Sequence, residues 1–253
     1  MDNSSYDVRF TEARARVLGE TYNVGGIGSL SEKSLHRIVK LFLEPDASCH
    51  EIKHLGYVAD IKNDGGITEI QTRNFSLLVP KLRAFLADTK VSVVYPLPYE
   101  KYITVIDRES GEMSERKKSP KKSRVYDAFY ELYNIREFVS HPNFSLILLF
   151  LNVDEYRYNG GKVLGRLRKS VRAERIPNSV EKIIEVRKPE DYLQMLPDGL
   201  PDEFCAADFN RAVGKRFKHA YSGIRILSEI GLLSEGERVG KKVIYKRIYP
   251  PYQ

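Results

Sequence analysis

Residues 57–71 read YVADIKNDGGITEIQ, and the fold is decided by how this stretch pairs with itself. Two strand-like runs, Tyr57 to Lys62 and Ile67 to Gln71, flank Asn63-Asp64-Gly65-Gly66. Asp-Gly between such runs signals a hairpin, because both turn residues are then asked to accept positive φ. A two-residue turn at Asp64-Gly65 and a four-residue loop from Asn63 to Gly66 give the same register, with Lys62 opposite Ile67. Counting back, Asp60 faces Glu69 and Val58 faces Gln71. Glu69 and Gln71 are two apart, so they share a face with Asp60.

Directly opposed side chains have Cβ atoms about 4.5–5.5 Å apart, and like charges so placed destabilise a sheet. Something is expected to offset the repulsion between Asp60 and Glu69. A hard divalent cation such as Mg²⁺ does so readily, held by one or two carboxylates plus water and phosphate. The competing reading makes both residues hairpin-surface charges, paired with Lys53, Lys62 or Arg73. Val58, Ile61, Ile67 and Ile70 around them favour central strands. Glu32, three residues before Leu35, offers a third carboxylate, or else completes a capping box with Ser29.

Outward from the hairpin, the pattern alternates helix and strand. A short helix or arm carrying Arg9, Arg14 and Arg16 leads through Gly25-Gly26-Ile27-Gly28, a flexible entry, into a helix. There Leu35, Ile38, Val39 and Phe42 form an apolar stripe that stops before Pro45. A strand at His50 to Lys53 precedes the hairpin. Downstream come a helix over Phe75 to Leu86, a buried strand over Val91 to Pro96 and a further strand over Tyr102 to Ile106. A charged loop follows from Asp107 to Lys122, then a helix over Tyr126 to Phe138 and a strand over Ser145 to Asp154. A basic loop spans Arg157 to Arg175, a return strand Ile183 to Val186, and a Pro-rich acidic linker Pro189 to Leu200.

The last fifty residues change character. Asp202 to Ala212 and Lys218 to Ile230 read as helices, and Arg238 to Tyr249 as a hairpin with its tip at Gly240-Lys241. Helix, turn, helix and hairpin is the order of a winged helix. From Arg211 to Arg225 there are basic residues and no acid, and Lys215, Arg216, Lys218 and Arg225 sit where a recognition helix meets the major groove. Lys241 and Lys242 at the tip suit a backbone contact. A winged helix also serves protein contacts or dimerisation.

Composition bounds the function. In 253 residues, 41 Lys and Arg against 34 Asp and Glu leave a net charge of +7. That excess admits a nucleic-acid partner without requiring one. Arg116 to Arg124 and Arg166 to Arg175 concentrate it in two stretches, either solvated loops or phosphate-neutralising surfaces. The longest apolar run, Leu146 to Val153, has the length of a buried strand, and no run is long enough to span a membrane. No apolar segment near Met1 reads as a signal peptide, and Cys49 and Cys205 are too few for a disulfide framework, so a reducing cytoplasm fits best. His36, His50 and His54 lack a zinc spacing and read as structural or surface residues. Asp154-Glu155 offers a second acidic site, with a solvated strand end the better reading.

The order helix with Glu32, strand, Asp60 strand, Glu69-Ile70-Gln71 strand, helix and strand resembles the PD-(D/E)XK nuclease core over roughly residues 25 to 100. Asp60 matches the family's first acid and Glu69 its second, and Gln71 stands where most members carry Lys, as in Glu-x-Gln variants. The resemblance implies an α/β fold, a restriction-endonuclease-like core with a central mixed sheet flanked by helices. It also implies metal-dependent phosphodiester hydrolysis, with Mg²⁺ or Mn²⁺ bound by Asp60, Glu69 and the Ile70 carbonyl. Gln71 would orient the attacking water and Arg73 clamp a phosphate oxygen.

The expectation is therefore a nuclease-like domain over residues 1–195 and a winged helix over 196–253, acting on DNA in preference to RNA, with no membrane partner. Cutting both strands of a duplex requires either a homodimer or successive events. The alternative is a catalytically inactive nuclease-like DNA-binding or regulatory protein, since a neutral Gln71 cannot stabilise charge on a phosphate as Lys does.

Overall fold

The computed structural model describes residues 3–24, 34–160, 162–163, 166–167, 170–214 and 220–248. Glu32, the Gly25–Gly28 entry, Lys215, Arg216 and Lys218 lie outside the described residues.

Two helices open the chain, α1 (Asn3–Val24) and α2 (Ser34–Leu43). The stripe Leu35, Ile38, Val39 and Phe42 of α2 is buried, as are Phe10, Ala13 and Val17 on one face of α1. Arg9 of α1 donates to the carbonyls of Phe42 and Leu43, satisfying acceptors that the end of α2 leaves without an intrahelical donor.

Strands β1 (His50–His54), β2 (Tyr57–Asn63) and β3 (Gly66–Ile70) follow. The register of β2 and β3 is the expected one, with Lys62 opposite Ile67. The turn differs in one respect. Positive φ falls on Gly66, at +121°, and not on Asp64 or Gly65. Asn63 Oδ1 accepts from Gly65 N, closing the turn locally. Gly66 is required there for a second reason, since a Cβ would stand 2.4 Å from the Lys90 carbonyl of the neighbouring strand.

Helix α3 (Val79–Phe85) enters through a 3-10 turn at Phe75–Leu78. Beyond it β4 (Val91–Ile106) is one long strand where two were expected. Pro96 and Pro98 lie within it, where each proline removes a ladder donor. The chain absorbs them in a register shift against the next long strand between Pro98 and Lys101. The charged stretch after β4 is more ordered than a loop: Ile106 bridges Met113, and β5 (Lys117–Lys118) pairs back onto Tyr102 and Ile103.

The helix expected over Tyr126 to Phe138 is split. Two 3-10 segments flank the short α4 (Phe129–Leu132), and Ile135 is non-helical at φ −124°. Next come β6 (Phe144–Tyr158), the small hairpin β7 (Lys162–Val163) and β8 (Arg166–Leu167), and β9 (Val171–Val186). Most of the basic segment read as a loop is thus strand, so Arg172 and Arg175 are held by the β6–β9 ladder.

The sheet runs β1-β2-β3-β4-β6-β9, with β5 added beside β4. β3–β4 and β4–β6 are parallel and the remaining pairs antiparallel. The fold is therefore a mixed α/β architecture with a central seven-stranded sheet flanked by helices. Both faces are covered, and β6 shows it: Leu146, Leu148 and Phe150 pack into one apolar cluster, and Leu149, Leu151 and Val153 into the other. That is why its sequence is continuously apolar and not alternating.

The C-terminal segment contains β10 (Glu203–Phe204), α5 (Ala206–Ala212), α6 (Ala220–Glu229), β11 (Leu233–Val239) and β12 (Lys242–Arg247), with sheet order β10-β12-β11. Its hairpin begins earlier than expected but has its tip at Gly240-Lys241. The stretch Pro189 to Leu200 is not a linker. It forms a 3-10 helix whose Tyr192 and Met195 are buried, together with Leu196 and Leu200, in the same cluster as Phe129, Leu148 and Ile224. Its prolines and acids mimic linker composition while its apolar residues pack. Among the described residues, no helix is long and apolar enough to cross a membrane.

Gly223 of α6 lies against the buried ring of Phe129, where an added Cβ would approach Cδ2 to 2.8 Å. Gly223→Ala is expected to cost about 1–3 kcal/mol by overpacking. Because the apolar cluster is shared, it should lower the midpoint of a single unfolding transition in calorimetry. Two transitions, only one of them shifted, would show that the C-terminal segment unfolds by itself.

Candidate functional site

Beyond Thr68, β3 parts from β2, and polar residues of both strands line a cavity of about 460 Å³. Asp60, Glu69, Ile70 and Gln71 line it, with Leu35 and His36 from α2, Lys81 from α3, and Arg172 and Arg175 from β9. The ladder between β2 and β3 stops at Ile61 and Thr68. In place of the next backbone pair, Asp60 Oδ2 accepts from Ile70 N at 2.7 Å. The same oxygen meets His36 Nε2 at 3.3 Å. His36 is therefore a site residue, contrary to the sequence reading. His50 and His54 make structural contacts, to the Glu44 carbonyl and to Asp88.

Glu69 is 2% exposed. Its Oε2 accepts from Lys81 Nζ at 2.8 Å, while Oε1 is buried with no hydrogen-bond partner. A buried carboxylate oxygen without a donor is costly, more so beside a second carboxylate. Burial, and then the charge of Asp60, push the Glu69 carboxyl up to about 7 against the opposing pull of Lys81. Burial also acts to raise Asp60, but the hydrogen bond and charge of His36, with Ile70 N–H, hold it below its ordinary value. One carboxyl is thus kept ionised and its neighbour near neutrality.

Asp60 and Glu69 are the residues that would hold a divalent cation of the Mg²⁺ kind. Among the described residues, no group of three or more His, Cys, Asp or Glu could hold a metal. The acids here number two, Asp60 and Glu69, and Mg²⁺ is commonly bound by one or two carboxylates, the remaining positions going to water and phosphate. The unsatisfied Oε1 of Glu69 is the atom such an ion would engage. Gln71 is committed elsewhere: its Nε2 donates to the carbonyl of Arg73 at 2.6 Å, holding the loop after β3.

A second cavity, of about 950 Å³, adjoins the first and shares Thr72, Arg172 and Arg175 with it. Arg73, Lys101 and Lys121 also line it, so the two basic stretches of the sequence meet on its walls. Behind them lies the fully buried side chain of Glu155, whose oxygens take Arg157 Nε and Arg175 Nε, each at 2.6 Å, with Lys101 Nζ at 3.7 Å. Glu155, read from the sequence as a solvated strand end, is the internal anchor of a cationic cluster. Burial pushes its carboxyl up, and Arg175, Arg157 and Lys101 together bring it below the ordinary value.

The structure therefore gathers Asp60, Glu69, Ile70 and Gln71 in one cavity and places Arg73 in the next. Arg225, Lys241 and Lys242 line neither; Arg225 is exposed on α6 and bonded to Glu229, and the two lysines are exposed at the hairpin tip. Lys81, His36, Lys101 and the placement of Arg172 and Arg175 were not legible, because each depends on contacts distant in sequence.

A family model described as a domain of unknown function, DUF8091, matches residues 33–187. The chain belongs to this DUF8091 family. Every residue lining the two cavities falls within the DUF8091 match except Val213. A protein of Treponema pallidum (strain Nichols), described as "Uncharacterized protein", is 26% identical over 226 residues, 88% of each chain. That alignment is longer than the DUF8091 match, so the likeness extends beyond it. No solved structure matches the chain.

The Glu69 carboxyl has a stability signature. From its unfolded value near 4.5 up to about 7, the folded DUF8091 domain holds a proton there that the unfolded chain has lost. Stability in chelator should therefore fall as pH rises through that window and level off above it. Asp60 ionises below the window and does not contribute. In Glu69→Gln the fall should vanish, and at pH 8 the variant should be the more stable, by on the order of 3 kcal/mol. Melting temperatures at pH 5 and pH 8 check this.

Proposed function

We propose that the protein is a metal-dependent phosphodiester hydrolase acting on nucleic acid, DNA in preference to RNA. The observation that carries this reading is the convergence of Asp60 and Glu69 at the end of a central hairpin, with the Glu69 Oε1 buried and undonated. The cationic wall beside it supports the same reading, since a phosphate bridging acid-bound metal and arginines uses both features. The element order from α2 to β4 also agrees with the PD-(D/E)XK resemblance.

Asp60 and Glu69 would hold a Mg²⁺ or Mn²⁺ ion, with the Ile70 carbonyl as the further ligand that the resemblance implies. Such an ion would supply polarisation of a phosphoryl oxygen and a more nucleophilic bound water. Lys81 fixes the orientation of the Glu69 carboxylate from α3, and His36 that of Asp60 from α2. Arg172 and Arg175 line the same cavity, where they would neutralise phosphate charge. The α5–α6 pair and the β11–β12 hairpin follow the order of a winged helix, in which Arg225, Lys241 and Lys242 would contact the nucleic-acid backbone.

The Gln71 amide favours a second reading. With its Nε2 donated to the chain carbonyls of Arg73 and Asn74, only its oxygen is left to orient water. A nucleic-acid-binding protein without catalysis has the same basic walls and no need of a free amide.

Supercoiled, linear, single-stranded and branched DNA, incubated with Mg²⁺, Mn²⁺ or EDTA, separates these readings. Metal-dependent cutting is expected, and Asp60→Asn and Glu69→Gln should each lower it by about a hundredfold or more while leaving binding in place. A folded protein that binds DNA and cuts none of these substrates would overturn the hydrolase reading in favour of the second.

A further inference from the structure

The β6–β9 ladder contains an arrangement that the acidic pair does not explain. Arg175 lies directly opposite Glu155, whereas Arg157 lies directly opposite Arg172. Two guanidiniums so paired repel one another. Glu155 spends its two oxygens on Arg157 and Arg175, and Lys101 stands at the edge of the same carboxylate. The four cations Lys101, Arg157, Arg172 and Arg175 thus surround one carboxylate. Among the described residues, Arg172 has no ion pair. It is half-buried, and burial, followed by the charge of Arg175, makes its protonated form less favourable than usual.

Other charges near the second cavity do not neutralise this excess. Glu100 is taken by Lys118 and Lys122, and Asp127 accepts from the Arg124 backbone. Glu174, next along β9, accepts from the backbone of Ser34 and Arg175. Arg73 and Lys121 add further positive charge to the lining. A cavity wall with several cations, one unpaired and half-buried, is electrostatically incomplete without an anion.

We propose that Arg172 and Arg175, in the wall between the two cavities, and Lys101 in the second, form a phosphate-binding subsite. It rests on the hydrolase reading in one respect: it receives the phosphate next along the polynucleotide from the one at Asp60 and Glu69. Arg172 presents its planar fork to that phosphate, while Glu155 keeps Arg175 and Lys101 oriented without occupying Arg172. The second cavity then carries the chain onward past Arg73 and Lys121. The ligand chemistry is the phosphate group, whether of a polynucleotide or of a small phosphoanion.

The test is binding in EDTA, where cleavage plays no part, so failure of the hydrolase reading leaves this result interpretable. Fluorescence anisotropy of a labelled single-stranded oligonucleotide is followed against salt, with inorganic pyrophosphate as competitor. Arg172→Gln is expected to weaken binding roughly tenfold, as for one lost charge-assisted hydrogen bond. It should also flatten the log K against log salt slope by about 0.7. Lys101→Gln should act in the same direction. Arg187→Gln, at the opposite end of β9 and paired there with Glu185, is the charge-matched control and should bind as wild type does.

Displacement of the oligonucleotide by pyrophosphate in wild type, weakened in Arg172→Gln, supports the subsite. Pyrophosphate binding lost in Arg172→Gln, without oligonucleotide binding, also supports it and assigns a small phosphoanion as the ligand. Wild-type affinity, slope and competition in both folded variants would overturn it. Should Arg172→Gln fail to fold, Arg172→Lys and Lys101→Gln carry the same comparison.

Discussion

The β2–β3 hairpin is the constraint on which the site depends. Its register is pinned at the turn, where Gly66 alone permits β3 to come close enough to donate from Ile67 to the Lys90 carbonyl. From that point Ile67 and Thr68 have fixed neighbours on both sides, antiparallel in β2 and parallel in β4, and Glu69 and Ile70 are held by β4. A slip of one residue would exchange the two faces and carry Glu69 out of the cavity. The ladder then ends where Asp60 takes the N–H of Ile70, and the carboxylates occupy the opening that the parting strands create.

Charge in the molecule is organised around two opposite imbalances. At the end of the hairpin, two acids share a half-closed cavity with Lys81 and His36, and one oxygen remains unsatisfied. Across the common wall, three cations, Lys101, Arg157 and Arg175, share the single carboxylate of Glu155, with Arg172 beside them. Each arrangement is costly alone, because buried like charges repel and are poorly screened. Side by side, under the proposed activity, they would take a cation and an anion. A metal ion and a phosphate chain would satisfy both with one ligand system, which is the physical argument for the proposed activity.

The C-terminal segment is joined to this scaffold through apolar contact. Tyr192, Met195, Phe209, Ile224 and Leu227 belong to the same cluster as Phe129 and Leu148, so the face of the sheet opposite α1 and α2 is completed by residues beyond 188. Its basic residues at Arg225, Lys241 and Lys242 stand on the surface of that layer, separate from the two cavities in lining though built on the same core.

The sequence by itself determined whatever depends on near neighbours. Apolar spacing at Leu35, Ile38, Val39 and Phe42 specifies α2, alternation around Asn63–Gly66 specifies the hairpin and its register, and the run from Leu146 marks a strand buried on both faces. From that register follow Asp60 and Glu69 as neighbours. The tertiary structure decided the rest. Pro96 and Pro98 look like a strand break, yet a long parallel partner carries β4 through them. Residues 157–175 look like a loop because they are dense in charge, and only the β6–β9 ladder brings Arg157 and Arg175 to one buried carboxylate. Lys81 reaches Glu69, His36 reaches Asp60 and Tyr192 reaches the core by packing of whole elements. Local pattern records the backbone's own periodicity; which distant charge compensates a buried one is recorded only where the elements meet.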